Sequence, residues 1–157
     1  VVAGRIANRF GLSGINCTVD AACAASLAAL RTAVAELLDG RADTMITGGV
    51  DTLNDIFMFM CFSKTQALSP TGDAKPFAKD ADGTVIGEGV GMVVLKRLED
   101  AERDGDRIYA LIRGGGTSND RLSFRRMEIQ AYPTKAPRKN QSTGQKKRML
   151  IMTAPCS

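Results

Sequence analysis

The feature that most constrains the fold is an abrupt change of pattern at Cys23. A short strand-like run, Ile15 to Val19, turns into an alanine-rich segment from about Ala22 to Leu38. Leu27, Leu30, Val34, Leu37 and Leu38 fall near one face at helical spacing, and alanine fills most of the rest. Alanine has the highest intrinsic helix propensity and lets neighbouring backbone approach closely, so this helix is expected to be packed on more than one side. Asp39-Gly40 supplies its stop signal.

Downstream, apolar runs alternate with polar ones. Thr44 to Thr47 reads as a buried strand that leads at Gly48-Gly49 into a tight or closely packed turn. Ile56 to Phe62 is a dense methionine and phenylalanine segment, expected in the core rather than against a ligand. Leu68 to Asp73 is a turn-rich loop. Gly91 to Lys96 reads as a strand, Leu98 to Arg103 as a helix, Asp104 to Asp106 as a turn and Ile108 to Arg113 as a third strand. Strands alternating with helices define an α/β protein. Gly87-Glu-Gly-Val-Gly precedes a strand instead of following one, so close backbone packing is expected there rather than a nucleotide loop. Lys75, Lys79 and the acidic turn at Asp104 to Asp106 are read as solvated surface.

Charge divides the chain differently. Of its 157 residues, the first 120 hold 12 basic and 16 acidic side chains, whereas residues 121–157 hold 9 basic and 1 acidic. The net charge of +4 therefore comes entirely from the tail, where apolar periodicity also fades and no packed element is assigned. A basic tail allows a non-catalytic protein that binds nucleic acid or an anionic surface. An aromatic content of 5% and the absence of a nucleic-acid motif argue against that reading. No apolar run is long enough for a membrane span and no signal-peptide order is seen, so a soluble cytoplasmic protein is expected.

The chemistry-bearing candidates are few. Cys17, Cys23, Cys61 and Cys156 lack a Cys-x-x-Cys spacing, and the chain has no histidine, so no metal site is expected and no complete Ser-His-Asp or Cys-His machinery is present. Cys23 alone falls at a helix amino terminus. Unpaired N–H groups and the helix dipole there favour the thiolate, the nucleophilic form, and can hold the oxyanion of an acyl intermediate. From spacing alone, a cysteine among alanines also fits an inert core position.

Val19-Asp-Ala-Ala-Cys-Ala-Ala-Ser-Leu-Ala-Ala-Leu resembles the nucleophile motif of β-ketoacyl synthase (ketosynthase) domains. Gly48-Gly-Val-Asp, Ala67-Leu-Ser-Pro-Thr-Gly-Asp, Pro76-Phe, Ala81-Asp-Gly-Thr-Val-Ile-Gly-Glu-Gly-Val-Gly and Asp104-Gly-Asp-Arg-Ile-Tyr-Ala follow in the family's order and spacing. The resemblance runs to about Asp120. Gly40 to Thr52 and Cys61-Phe-Ser-Lys-Thr look most similar to ketosynthases of bacterial polyunsaturated fatty acid synthases and related iterative type I polyketide synthases, including the heterocyst glycolipid type.

It implies an incomplete fragment of a thiolase-like α-β-α-β-α layered fold. Ile15 to Val19 would be the third strand of its first half, Thr44 to Gly48 the fourth and Gly89 to Lys96 the fifth; Ile108 to Arg113 would open the second half. The family's first two strands would precede Val1, and without them two strands here lack neighbours. By resemblance Cys23 accepts an acyl chain from an acyl carrier protein, and a malonyl carrier protein then supplies the elongating carbon after losing carbon dioxide. No cofactor is implied. The strand before Cys23 would form a homodimer contact. Both family histidines lie beyond the matched stretch, so this chain alone is expected to be inactive in condensation. Ala25 stands where many members have serine. The loss of motif after Asp120 points to residues 121–157 as a frameshifted or chimeric tail rather than a basic module.

Overall fold

A computed structural model of the chain describes residues 1–115, 128–131 and 149–153. Helix α1 spans Val2–Phe10, α2 Ala25–Leu38, α3 Ile56–Lys64 and α4 Leu98–Asp104. Strands are β1 Thr44–Asp51, β2 Gly89–Arg97, β3 Ala110–Gly114, β4 Glu128–Ala131 and β5 Met149–Thr153. They form a sheet in the order β1-β2-β5-β3-β4. Two compact units divide the chain, one of Val1–Gly48 with Met92–Ser157 and one of Gly49–Gly91.

The core of the first unit is built as the leucine spacing predicts. Leu30, Ala33 and Leu37 of α2 pack on Leu95 of β2 and Ile112 of β3, with Val34 and Leu38 against the same cluster. Leu27 instead stays exposed. A second cluster joins Ala101 of α4 to Leu111 of β3, supported by Leu98 and Ile108. Helix α2 stops where Asp39-Gly40 predicts. Gly40 adopts φ +70°, a conformation that a Cβ disfavours, and this turns the chain so that the Arg41 N–H reaches Glu36 O at 3.0 Å.

The structure corrects several expectations. Ile15 to Val19 forms no strand; its residues are exposed except for the half-buried Val19, and an extended segment without a neighbour has no ladder to join. Residues 2–10 form a helix that the sequence reading did not assign. Gly48-Gly49 lies within β1, which runs on to Asp51. The methionine and phenylalanine segment is a helix capped by Asp55, whose carboxylate accepts from Phe57 N at 3.0 Å and Met58 N at 3.1 Å. None of its residues is buried, so it is not core among the described residues. Among the described residues an added Cβ at Gly87, Gly89 or Gly91 would meet nothing within 4 Å, so the expected close packing is not found there; Gly83 is the crowded glycine of this segment.

The acidic turn is engaged rather than merely solvated. Lys96 pairs with Asp106 at 2.8 Å and with Asp104, and Lys75 pairs with Asp80 at 3.0 Å. Most of the tail lies outside the described residues. Its two described segments do join the sheet: β5 runs antiparallel to both β2 and β3, with Leu95 and Ala110 each opposite Ile151, and β4 runs antiparallel to β3.

Candidate active site

Cys23 sits in a single 3-10 turn, Ala22–Ala24, that leads into α2. Asp20 builds the entry. Its carboxylate accepts from Ala22 N at 3.0 Å, a local side-chain turn that halts the extended run before the helix. The Ala24 N–H donates to Ala21 O at 3.0 Å and the Ala25 N–H to Ala22 O. Among the described residues the Cys23 N–H takes no backbone acceptor, which leaves a donor beside its own sulfur. An oxyanion formed by attack of that sulfur on a carbonyl would develop within reach of such a donor.

Ala22 carries φ +48°, a left-handed conformation unusual for a residue with a Cβ. The bend that presents Cys23 is therefore strained, and sequence reading had no signal for it, since alanine marks helix rather than turn. The Asp20 turn is the one visible clue.

Cys23 is exposed, and so are Cys17 and Cys61, while Cys156 lies outside the described residues. Helix burial begins only at Leu30, so the expected burial on more than one side is absent from the nucleophile's end of α2. No histidine exists anywhere in the chain to assist the thiol. Among the described residues no group of three or more histidine, cysteine, aspartate or glutamate side chains is placed to hold a metal ion, and no helix is long and apolar enough to cross a membrane.

The other end of α2 is fixed by Arg97, which sequence reading missed. Its guanidinium donates to Leu37 O at 3.0 Å and Ala42 O at 2.7 Å and pairs with Asp43 and Asp100. Burial alone would push the Asp100 carboxyl up, but hydrogen bonds from Arg97 and Arg103 outweigh it and hold the group below its ordinary range. The available signal was the i,i+3 spacing of Arg97 and Asp100 at a strand-to-helix junction.

An α/β fragment with an exposed thiol at the head of a helix fits a known class. Solved structures of thiolase-like ketosynthases match it. A cysteine-to-serine mutant form of the ketosynthase from module 6 of the Bacillus subtilis bacillaene synthase shares 37% identity at a TM-score of 0.71, over 77% of this chain and 21% of that one. A type II polyketide synthase ketosynthase, AntDE, solved with its acyl carrier protein and bound to the hexaketide, shares 32% identity at 0.66, over 71% and 29%.

Residues 1–101 match the family described as β-ketoacyl synthase, N-terminal domain, and the chain belongs to that family. One polyunsaturated fatty acid synthase protein of Thraustochytrium sp. is 51% identical over 120 residues, 76% of this chain and 4% of that protein. The spectinabilin polyketide synthase system protein NorA' of Streptomyces orinoci is 45% identical over 123 residues, 78% of this chain and 3% of its own length. The chain thus spans a few per cent of the curated relatives it matches.

Proposed function

We propose that this chain is the nucleophile-bearing part of a β-ketoacyl synthase domain from a polyketide or polyunsaturated fatty acid synthase, with Cys23 as the acyl acceptor. The observation that carries the reading is the placement of Cys23 on an exposed turn at the head of α2, with its own N–H uncommitted among the described residues, inside the family-matched segment.

The Cys23 thiolate attacks the thioester carbonyl of an acyl carrier protein. The tetrahedral oxyanion collapses, the carrier thiolate leaves and takes up a proton, and the acyl group stays on sulfur. A malonyl carrier thioester then loses carbon dioxide, and the resulting enolate attacks the Cys23 thioester. A β-ketoacyl carrier thioester forms and the Cys23 thiolate is regenerated. With no histidine to assist the decarboxylation, the chain supplies the acceptor and not the whole condensation.

Residues 1–120 form the ketosynthase portion in this reading. The family match ends at residue 101 and relatives align over 118 to 123 of the 157 residues, in keeping with a boundary near Asp120; we read residues 121–157 as foreign to the family through a frameshift or a chimeric join. The partners are an acyl carrier protein and a second copy of the ketosynthase, in the cytoplasm. The comparisons give no support to a non-catalytic protein with a nucleic-acid-binding tail.

The test is site-resolved labelling with an iodoacetamide or acyl-thioester probe in a ketosynthase domain completed around residues 1–120. Cys17, Cys23 and Cys61 are all exposed in this chain, so the same labelling of the 157-residue chain serves as the reference for access. Cys23 is expected to react fastest, and Cys23→Ala to abolish acylation. Equal labelling of the cysteines, or acylation that survives Cys23→Ala, would overturn the assignment.

A further inference from the structure

Within the unit of residues 49–91, the loop from Leu68 to Thr84 is closed at its base. Leu68 and Thr84 form a parallel bridge, the Ser69 N–H donates to Thr84 O at 2.8 Å, and Asp82 accepts from Ser69 Oγ and Thr71 Oγ at 2.7 Å each. At the tip the Ala78 N–H donates to Lys75 O at 3.1 Å, closing a turn with Pro76 and Phe77 at its centre. Proline suits the first central position because its ring fixes φ. The second central position has φ +65°, which a turn of this kind ordinarily gives to glycine or asparagine.

Phenylalanine occupies it here, and at 106% relative exposure the ring is fully in solvent. Backbone and side chain would each be better served by another residue. The loop is nevertheless ordered by its own hydrogen bonds, and Asp80 neutralises the flanking Lys75. An aromatic ring presented on a pre-organised turn, against both local preferences, has the character of an interface anchor.

We propose that Phe77 seats in an apolar pocket of the remainder of the ketosynthase domain, the part that lies outside residues 1–120. The inference rests on the ketosynthase reading above. Pro76 and Phe77 fall inside the family-matched residues 1–101, so the turn belongs to the body of the domain. The chain covers only 20–29% of the solved ketosynthases it matches, so most of the surface available to cover the ring lies outside this chain.

The experiment compares two proteins. One is the 157-residue chain; the other is a hybrid in which residues 1–120 replace the matching segment of the Thraustochytrium synthase ketosynthase. Phe77→Gly is expected to raise the Tm of the chain slightly, because it relieves the backbone and removes an exposed ring, and to lower the Tm of the hybrid by several degrees. Phe77→Leu in the hybrid is expected to retain most of the loss, and this variant decides the matter if the glycine hybrid does not fold. Because the chain has no tryptophan, Phe77→Trp adds a single reporter that should emit as an exposed indole at every chain concentration.

A hybrid whose Tm ignores both Phe77→Gly and Phe77→Leu would overturn the proposal. So would indole emission that shifts to the blue as the chain is concentrated, which would make a second copy the occupant. A hybrid that keeps Phe77 and folds but cannot elongate a carrier-bound acyl chain would overturn the ketosynthase reading, and the proposal with it.

Discussion

At the scale of single residues, the work of holding the proposed nucleophile is split between the two ends of α2. Asp20 and the strained Ala22 shape the entry, and Arg97 ties the exit by donating both to Leu37 O in the last turn of α2 and to Ala42 O in the loop that follows it. Arg97→Ala removes donors from Leu37 O and Ala42 O and leaves Asp43 and Asp100 without their shared cation. Charge-assisted hydrogen bonds of this kind make the expected loss roughly 2–3 kcal/mol, read as a lower urea midpoint. Arg97→Lys is expected to recover only part of it, because an ammonium cannot span the same set of acceptors in one plane. Equal stability of all three proteins would show that the α2 exit is held by packing alone.

At the scale of elements, two junctions carry testable consequences. Gly83 lies where the loop base closes, with φ +154°, and an added Cβ would stand 2.5 Å from Ser69 N and 2.6 Å from Leu68 C. Those are backbone atoms that cannot swing aside, so Gly83→Ala should cost at least about 1 kcal/mol and detach the Ser69 and Thr71 hydroxyls from Asp82. Hydrogen exchange at Ser69 and Thr84 would report it, and unchanged protection there would contradict it. At the C-terminal end of α4, Arg103 and then Lys96 of β2 hold the Asp104 carboxyl down from 3.8 to about 2.

A carboxyl depressed in the folded chain stabilises it above the unfolded value and loses that contribution as pH falls through the folded one. The contribution of Asp104 is therefore complete above 3.8 and disappears toward about pH 2. Asp104→Asn should flatten the acid limb of stability across that window; an unchanged limb would assign acid sensitivity to other carboxylates. These elements were legible in the sequence to different degrees. Helix α2, β2 and α4 announced themselves through local periodicity and the stops at Gly40 and Gly105. By contrast, Ile15 to Val19 has strand composition but no neighbour, and α3 has core composition but no cover among the described residues. Both were misread because strand pairing and burial depend on residues far away in sequence. At the site, Cys23 is legible from its place before the helix and from motif resemblance, whereas φ at Ala22 leaves no pattern in the chain and Arg97 leaves only its i,i+3 spacing to Asp100.

At the scale of the whole molecule, the tail poses the sharpest question, because it lies beyond the family-matched residues 1–101 and yet contributes β4 and β5. These facts are compatible. Backbone pairing is tolerant of sequence, and Met149-Leu-Ile-Met-Thr has the apolar character that an open strand edge accepts. The proposed foreign origin of the tail is therefore compatible with its place in the sheet. Removing residues 116–157 should strip partners from Val93 to Arg97 of β2 and from Ala110 to Ile112 of β3, with lost amide protection there and a greater tendency to aggregate. Protection that survives truncation would mean that β5 contributes nothing to the sheet in solution. The origin of the tail is tested separately, in the coding DNA. A frameshift requires one of the other two frames beyond Asp120 to restore ketosynthase-like sequence with a histidine motif; if neither does, a chimeric join and a genuine basic module are the surviving accounts. Loss of protection on truncation together with a restored frame would show that an accidental sequence had filled a vacancy in the sheet, which is what strand edges left without neighbours make physically possible.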